Sequence, residues 1–174
     1  KTGLEKRSEE TSQGMISTIY ALMGDTYHEL GMLDACMQSY DSALVYDNDN
    51  MNVLNNYAYY LAVEGKELER ALEMSHRTIL HNPDDNTCID TYAWVLFGLG
   101  RYEEAKAYAE KLVAGGDSIS SVVYHHCGDI FAKCGDTEKA VEFWIKARDA
   151  GDSSKILEKK IRKRKYYRDA KRKK

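Results

Sequence analysis

Four glycines set the frame for this chain. Gly31, Gly65, Gly100 and Gly135 stand 34, 35 and 35 residues apart, in "ELGMLDAC", "VEGKELERA", "GLGRYEEA" and "KCGDTEKA". Each closes one segment whose apolar residues recur at helical spacing and opens a second, so each is expected at a helix C-terminus in the left-handed conformation. The flanking residues repeat with them. Ahead of the glycines come Met23, Gly24 and Tyr27; Tyr57, Ala58 and Leu61; Tyr92, Ala93 and Leu96; Cys127, Gly128 and Phe131. Behind them come Cys36, Tyr40 and Ala43; Ala71, Ser75 and Thr78; Ala105, Ala109 and Leu112; Ala140, Trp144 and Ala147. This is one helix, turn, helix unit written four times. The small residue of the first helix (Gly24, Ala58, Ala93, Gly128) meets a small residue of the second (Cys36, Ala71, Ala105, Ala140) at their crossing. Bulky neighbours then fill the space toward the next unit, because a single helix pair cannot bury its own apolar face.

The remaining composition agrees with one such domain. The chain has 174 residues, 43% hydrophobic and 30% charged, which is long enough for a single core of ordinary size. A single proline and twelve glycines argue against an all-β fold, which needs many more turn residues. No apolar run approaches the roughly 20 residues that cross a bilayer, and no signal-peptide pattern stands at the start. The first residue is a lysine rather than a methionine, so a fragment or processed form is expected. A signal in the parent chain would place the protein in the cell envelope. Cys36, Cys88, Cys127 and Cys134 lie far apart and read as small buried hydrophobes. On one helix Cys127 and Cys134 would be about 10.5 Å apart, beyond the roughly 7 Å a disulfide spans.

The net charge of −3 conceals two unlike parts. Residues 155–174 hold twelve Lys/Arg against Glu158 and Asp169, a local +10, whereas the rest holds 13 against 26, a local −13. Such a tail suits nucleic acid, anionic lipid, or an acidic partner that includes its own body. With only Tyr166 and Tyr167 interleaved, the tail is a poor sequence-specific reader, and nucleic acid or a membrane surface is the disfavoured partner.

These repeats resemble the tetratricopeptide repeat (TPR) family of bacterial type, whose pattern is W-x2-L-G-x2-Y, then A-x3-F, then P, at about 34 residues. "YALMGDTYHELG" with "CMQSYDSAL" and "YHHCGDIFAKCG" with "AVEFWIKA" match it most fully. The middle units depart: alanine replaces glycine at 58 and 93, Ser75 and Ala109 occupy a slot usually aromatic, and only Pro83 survives as the repeat-ending proline. "EGKELERA" has one extra turn residue. The resemblance implies an all-α, right-handed solenoid of four helix pairs, at about 17–50, 51–85, 86–120 and 121–152, within a domain spanning 15–152. Residues 1–14, with Leu4 the only large apolar side chain, read as a linker or the remnant of a preceding unit. Residues 153–174 read as a capping helix, started by Ser153 or Ser154 and packed through Ile156, Leu157 and Ile161, followed by the basic tail.

Signatures of chemistry are missing. There is no phosphate-binding glycine loop, no G-x-S-x-G and no HExxH. "DNDN" at 47–50 lacks the glycine and closing glutamate of a calcium loop. His125, His126 and Cys127 point about 100° apart on a helix and do not converge on zinc. His28 and Asp129, lone polar residues on helix faces, are a weak acid and base pair. We therefore expect no enzyme, no cofactor and no metal.

In the resembled family the first helices line a concave surface, and the residue after the small Gly/Ala faces it. That rule selects Asp25, Tyr59, Trp94 and Asp129. One turn away on the same face lie Asn55, Asp90 and His125, and on the other side His28 and Phe97. Trp94 and Phe97 exceed what one buried stripe needs and are expected to line the groove, the alternative being that a tight superhelix buries them between neighbouring units. With little positive charge beyond Lys133, the groove does not suit the capture of chaperone C-terminal carboxylates that some relatives perform. The expected function is a non-catalytic scaffold that holds an extended or helical segment of a protein or peptide in the concave groove. The alternative is an assembly module whose tail docks on anionic lipid or nucleic acid, and self-association through acidic body and basic tail is a further partner expectation.

Overall fold

A computed structural model describes residues 3–115 and 119–168, with side chains from Thr11 onward. Among these residues the chain is all α-helix: α1 (Gly3–Glu29), α2 (Leu33–Tyr46), α3 (Met51–Glu64), α4 (Leu68–His81), α5 (Asn86–Gly98), α6 (Tyr102–Ala114), α7 (Ser121–Lys133), α8 (Thr137–Asp149) and α9 (Lys155–Lys163). The helices pack as successive hairpins, α1/α2, α3/α4, α5/α6 and α7/α8, and α9 closes the far end against α8. This is a helical solenoid. The segment expected to be a linker is helical from Gly3 and continuous with α1, so the first helix is longer than its counterparts. The side chain of Leu4 and tail residues 169–174 lie outside what is described.

The turns form for the reason the glycines suggested. Gly31, Gly65, Gly100 and Gly135 take φ of 71°, 63°, 77° and 83°. After each, the next N–H reaches back to a carbonyl five residues earlier: Met32 to Tyr27, Lys66 to Leu61, Arg101 to Leu96 and Asp136 to Phe131. This closes the helix ends that would otherwise leave carbonyls unpaired. The extra residue of "EGKELERA" is absorbed by Glu67, which adopts a left-handed φ of 43° ahead of α4. Helices α3, α5, α7, α8 and α9 start on side-chain caps, from Asn50, Asp85, Ser120, Asp136 and, of the two serines considered, Ser154.

Within each hairpin the crossing is as close as the small residues allow. A Cβ on Gly24 would fall 2.9 Å from Cε2 of Tyr40, and one on Gly128 would run into the indole of Trp144. Both aromatics are fully buried. Each then bonds to the residue after the glycine it crosses: the Tyr40 hydroxyl donates to Asp25, and Trp144 Nε1 donates to Asp129 Oδ1 at 2.9 Å. The middle hairpins have Ser75 and Ala109 in that slot and no such partner. There the residue after the small alanine is itself aromatic, Tyr59 or Trp94, so bulk removed from the second helix reappears on the first.

The core comprises two clusters, one around Tyr40, Leu54, Tyr57, Leu61 and Val95, the other around Ile89, Leu96, Leu112, Phe131 and Trp144. Leu72 and Trp94 touch both. At the first end of the stack, Met15, Ile19 and Leu22 of α1 and Leu30 just after it stay exposed, whereas α9 covers the other end with Leu157 buried. We predict that Gly128→Ala loses about 1–3 kcal/mol through overpacking against Trp144, read by urea denaturation. Glu110→Ala at an exposed position of α6 should change stability by less than about 0.5 kcal/mol; equal losses would contradict the assigned crossing.

Candidate functional site on the inner face

The first helices bring their inward residues into one file of rings. His28 stacks on Tyr60 at 3.8 Å between centroids, Tyr60 adjoins Tyr59 at 5.7 Å, and Tyr59 lies 6.1 Å from His126. His126 stacks on Trp94 at 3.9 Å and 15°, and Trp94 on Phe97 at 4.7 Å and 6°. Offset stacking of this kind contributes about 0.5–1.5 kcal/mol per pair beyond area burial. Trp94 is half-buried within the file. Phe97, expected as an open groove residue, is only 8% exposed because Tyr166 packs edge-on against it at 5.8 Å and Tyr102 at 5.4 Å.

Below the rings, His126 Nδ1 contacts both carboxylate oxygens of Asp90 at 3.0 Å, joining α7 to α5. Beside Asp90 a cavity of about 320 Å³ opens between the N-terminal halves of α3, α5 and α7. Asn55, Tyr59, Tyr60, Thr87, Asp90 and Val123 are among its walls. Burial, with Asp90 nearby, pushes the Tyr59 hydroxyl up to about 12, so it remains a neutral donor at physiological pH.

The far end of the face is closed by the chain itself. Lys160 of α9 is 0% exposed, and its ammonium donates to Asp129 Oδ2 and His125 Nε2, each at 2.7 Å. His125 Nδ1 in turn lies 2.7 Å from Asp152 Oδ2, so the ring links Lys160 to Asp152. Burial pushes the Asp129 carboxyl upward, against the pull of Lys160, His125 and Trp144. Asp152 is also penalised by burial, but the Ser154 hydroxyl and N–H and the His125 ring outweigh it and hold this carboxyl below its ordinary range. Tyr166 then folds over the face, 4.5 Å from the Lys133 ammonium and 5.2 Å from that of Lys160.

Several expected groove residues are thereby engaged internally. Asp129 and His125 hold Lys160, Phe97 is under Tyr166, and Asp25 accepts from Tyr40 and Tyr60. Lys133 is a cation laid over Tyr102 and Tyr166 rather than a lone groove charge. Asn55, Tyr59, Asp90 and Trp94 remain beside the cavity or half-open, with His28 at the far end of the ring file. The sequence reading did not place His126, Tyr60, Lys160 or Tyr166 on this face. A signal for Lys160 was present: it stands 35 residues after His125, the same repeat offset that relates His125 to Asp90. Catalysis by thiolate has little support, since burial pushes Cys36 and Cys88 up to about 11 and Cys127 up to about 12.

Stacked helical hairpins with a ring-lined inner face define a protein–protein interaction scaffold of the helical-repeat class. Residues 17–50 and 90–114 match the tetratricopeptide repeat family model, so the chain carries tetratricopeptide repeats over those two stretches. Its fold is shared by pilF of Pseudomonas aeruginosa (TM-score 0.71, 17% identity, 88% of this chain and 69% of that one). It is also shared by a thermophilic TPR protein of Thermus thermophilus (0.66, 15%, 83% and 79%). MamA of Desulfovibrio magneticus is similar as well (0.66, 16%, 87% and 85%). No curated protein sequence matches at a significant level.

Removing Lys160 would leave Asp129 buried without its cation. Lys160→Ala is expected to cost about 3–5 kcal/mol, and Lys160→Met less because it keeps the packing, as read by denaturant titration. The lowered Asp152 carboxyl stabilises the fold above an unfolded-state pKa of about 3.9, and that contribution disappears as pH falls through the lower folded value. The stability gap between the unmodified protein and Asp152→Asn should therefore be full at about pH 6 and close near pH 2, in melts across that range.

Proposed function

We propose that the protein is a non-catalytic scaffold that captures an extended or helical segment of a partner protein along its inner face. The supporting observation is the file of rings from His28 to Trp94 beside the cavity at Asn55 and Asp90. Rigid aromatics supply contact area at little entropic cost, and the amide of Asn55 supplies hydrogen bonding to a backbone or side chain. In this reading Tyr59, Trp94, Asn55, Asp90 and His28 meet the partner, while Asp25, Phe97, His125 and Asp129 brace the face from behind. The alternative, a tail docked on anionic lipid or nucleic acid, is less well supported: Lys160 is buried, Arg164 pairs with Glu138, and Lys159 lies over Tyr167 at 3.9 Å. Those intrachain pairings also reduce the charge left for self-association between body and tail.

The test is selection of peptides from a display library on the full chain. A selected peptide should bind at least about tenfold more weakly to Trp94→Ala and equally well to Glu110→Ala on α6. Because Trp94 touches both core clusters, its truncation should cost about 1–3 kcal/mol, below the about 3–5 kcal/mol expected for fully buried Trp144. Peptides whose binding ignores Trp94 and responds to Glu110 would overturn the inner-face reading.

A further inference from the structure

Asn55 is 6% exposed, lines the cavity, and its Oδ1 has no hydrogen-bond partner among the described residues. A buried amide oxygen left unpaired costs about 1–3 kcal/mol. Beside it stands Asp90, a carboxylate whose described polar partner is His126, a ring with one proton to give when neutral. Tyr59 and Tyr60 add ring faces, Thr87 and Thr91 hydroxyls, and Val122 and Val123 an apolar wall. Among the described residues no lysine or arginine lines this cavity. The site therefore offers acceptors, negative charge and π-faces, with a wall suited to an aliphatic stem.

The same chain shows what such a set holds. One repeat further on, His125 occupies the register of Asp90, and there the ammonium of Lys160 is gripped by Asp129 and His125 with the Tyr166 ring beside it. Lys133 over Tyr102 and Arg70 over Tyr57 repeat the pairing of cation and ring elsewhere in the fold. At Asn55 and Asp90 no side chain of the described residues plays the part of Lys160.

We infer that the cavity formed by Asn55, Tyr59 and Asp90 is a subsite for a cationic side chain, the ammonium of lysine or guanidinium of arginine, presented by the partner segment. This rests on the inner-face reading above and gives the partner its chemistry. The ammonium donates to Asn55 Oδ1 and Asp90, and its methylene stem lies along Val122 and Val123. The acidic body, with its local charge of −13 outside residues 155–174, favours approach of such a segment.

The test is amide NMR on the nitrogen-labelled full chain, titrated with the Nα-acetyl N-methylamides of lysine, arginine, norleucine and glutamate. The lysine and arginine compounds should shift the amides of residues 55–60 and 87–91 and saturate in the millimolar range. Asp90→Asn, which keeps an acceptor for His126, should weaken them about tenfold, and Asn55→Asp should strengthen them by a similar factor. Folding of both variants is checked by the same spectra away from the cavity. Equal shifts with norleucine would make this an apolar pocket, preference for glutamate a donor pocket, and no shift from any compound no subsite at all; each overturns the inference. None of these outcomes touches the inner-face reading, which stands or falls on the Trp94 dependence of the selected peptides.

Discussion

The structure depends on how closely the two helices of each hairpin approach. At Gly24 and Gly128 the absence of a Cβ lets Tyr40 and Trp144 lie directly on the first helix, and each then bonds to the aspartate that follows. That single contact couples packing to polarity: the buried hydroxyl or indole N–H needs an acceptor, and the buried carboxylate needs donors. Once the crossing is set, each hairpin shows the next a fixed apolar surface, and stacking continues until α9 covers the last one. The exposed Met15, Ile19 and Leu22 on α1 show what such a surface looks like where no described hairpin covers it.

The middle hairpins solve the same problem differently, and the candidate site is the result. With Ser75 and Ala109 in the aromatic slot, the second helix has nothing to bond to an aspartate, and the inward position of the first helix carries Tyr59 or Trp94 instead. Aromatic bulk that is structural at the ends of the solenoid is thus displaced onto the inner face at its centre. There it stacks with His126 and leaves the cavity beside Asn55 and Asp90.

At the C-terminal end charge is handled by burial in pairs. Lys160 is completely enclosed, a placement that would be prohibitively costly without Asp129 and His125 at 2.7 Å. The cap is therefore held by a specific polar network as well as by Leu157. Tyr166 extends it across the face to Phe97, so the chain itself covers the face at that end.

The sequence by itself determined the repeat and the turns and marked Gly24 and Gly128 as close crossings, but what lies against those glycines is Tyr40 and Trp144 rather than the small residues Cys36 and Ala140. A glycine with positive φ and a missing Cβ are local backbone demands, and their 34- and 35-residue spacing is visible without coordinates. Helical register showed that Asn55, Tyr59, Asp90 and Trp94 share one face of their helices, and the family resemblance implied that this face is the inward one. Only the tertiary structure decided which of these residues the chain itself engages. Asp129 and His125 were taken by a lysine 31 and 35 residues away. Phe97 was covered by Tyr166, and Asn55 was left with an unpaired oxygen. Those outcomes turn on where α9 and the segment after it lie in space. Helical periodicity says which way a side chain points but not what arrives to meet it.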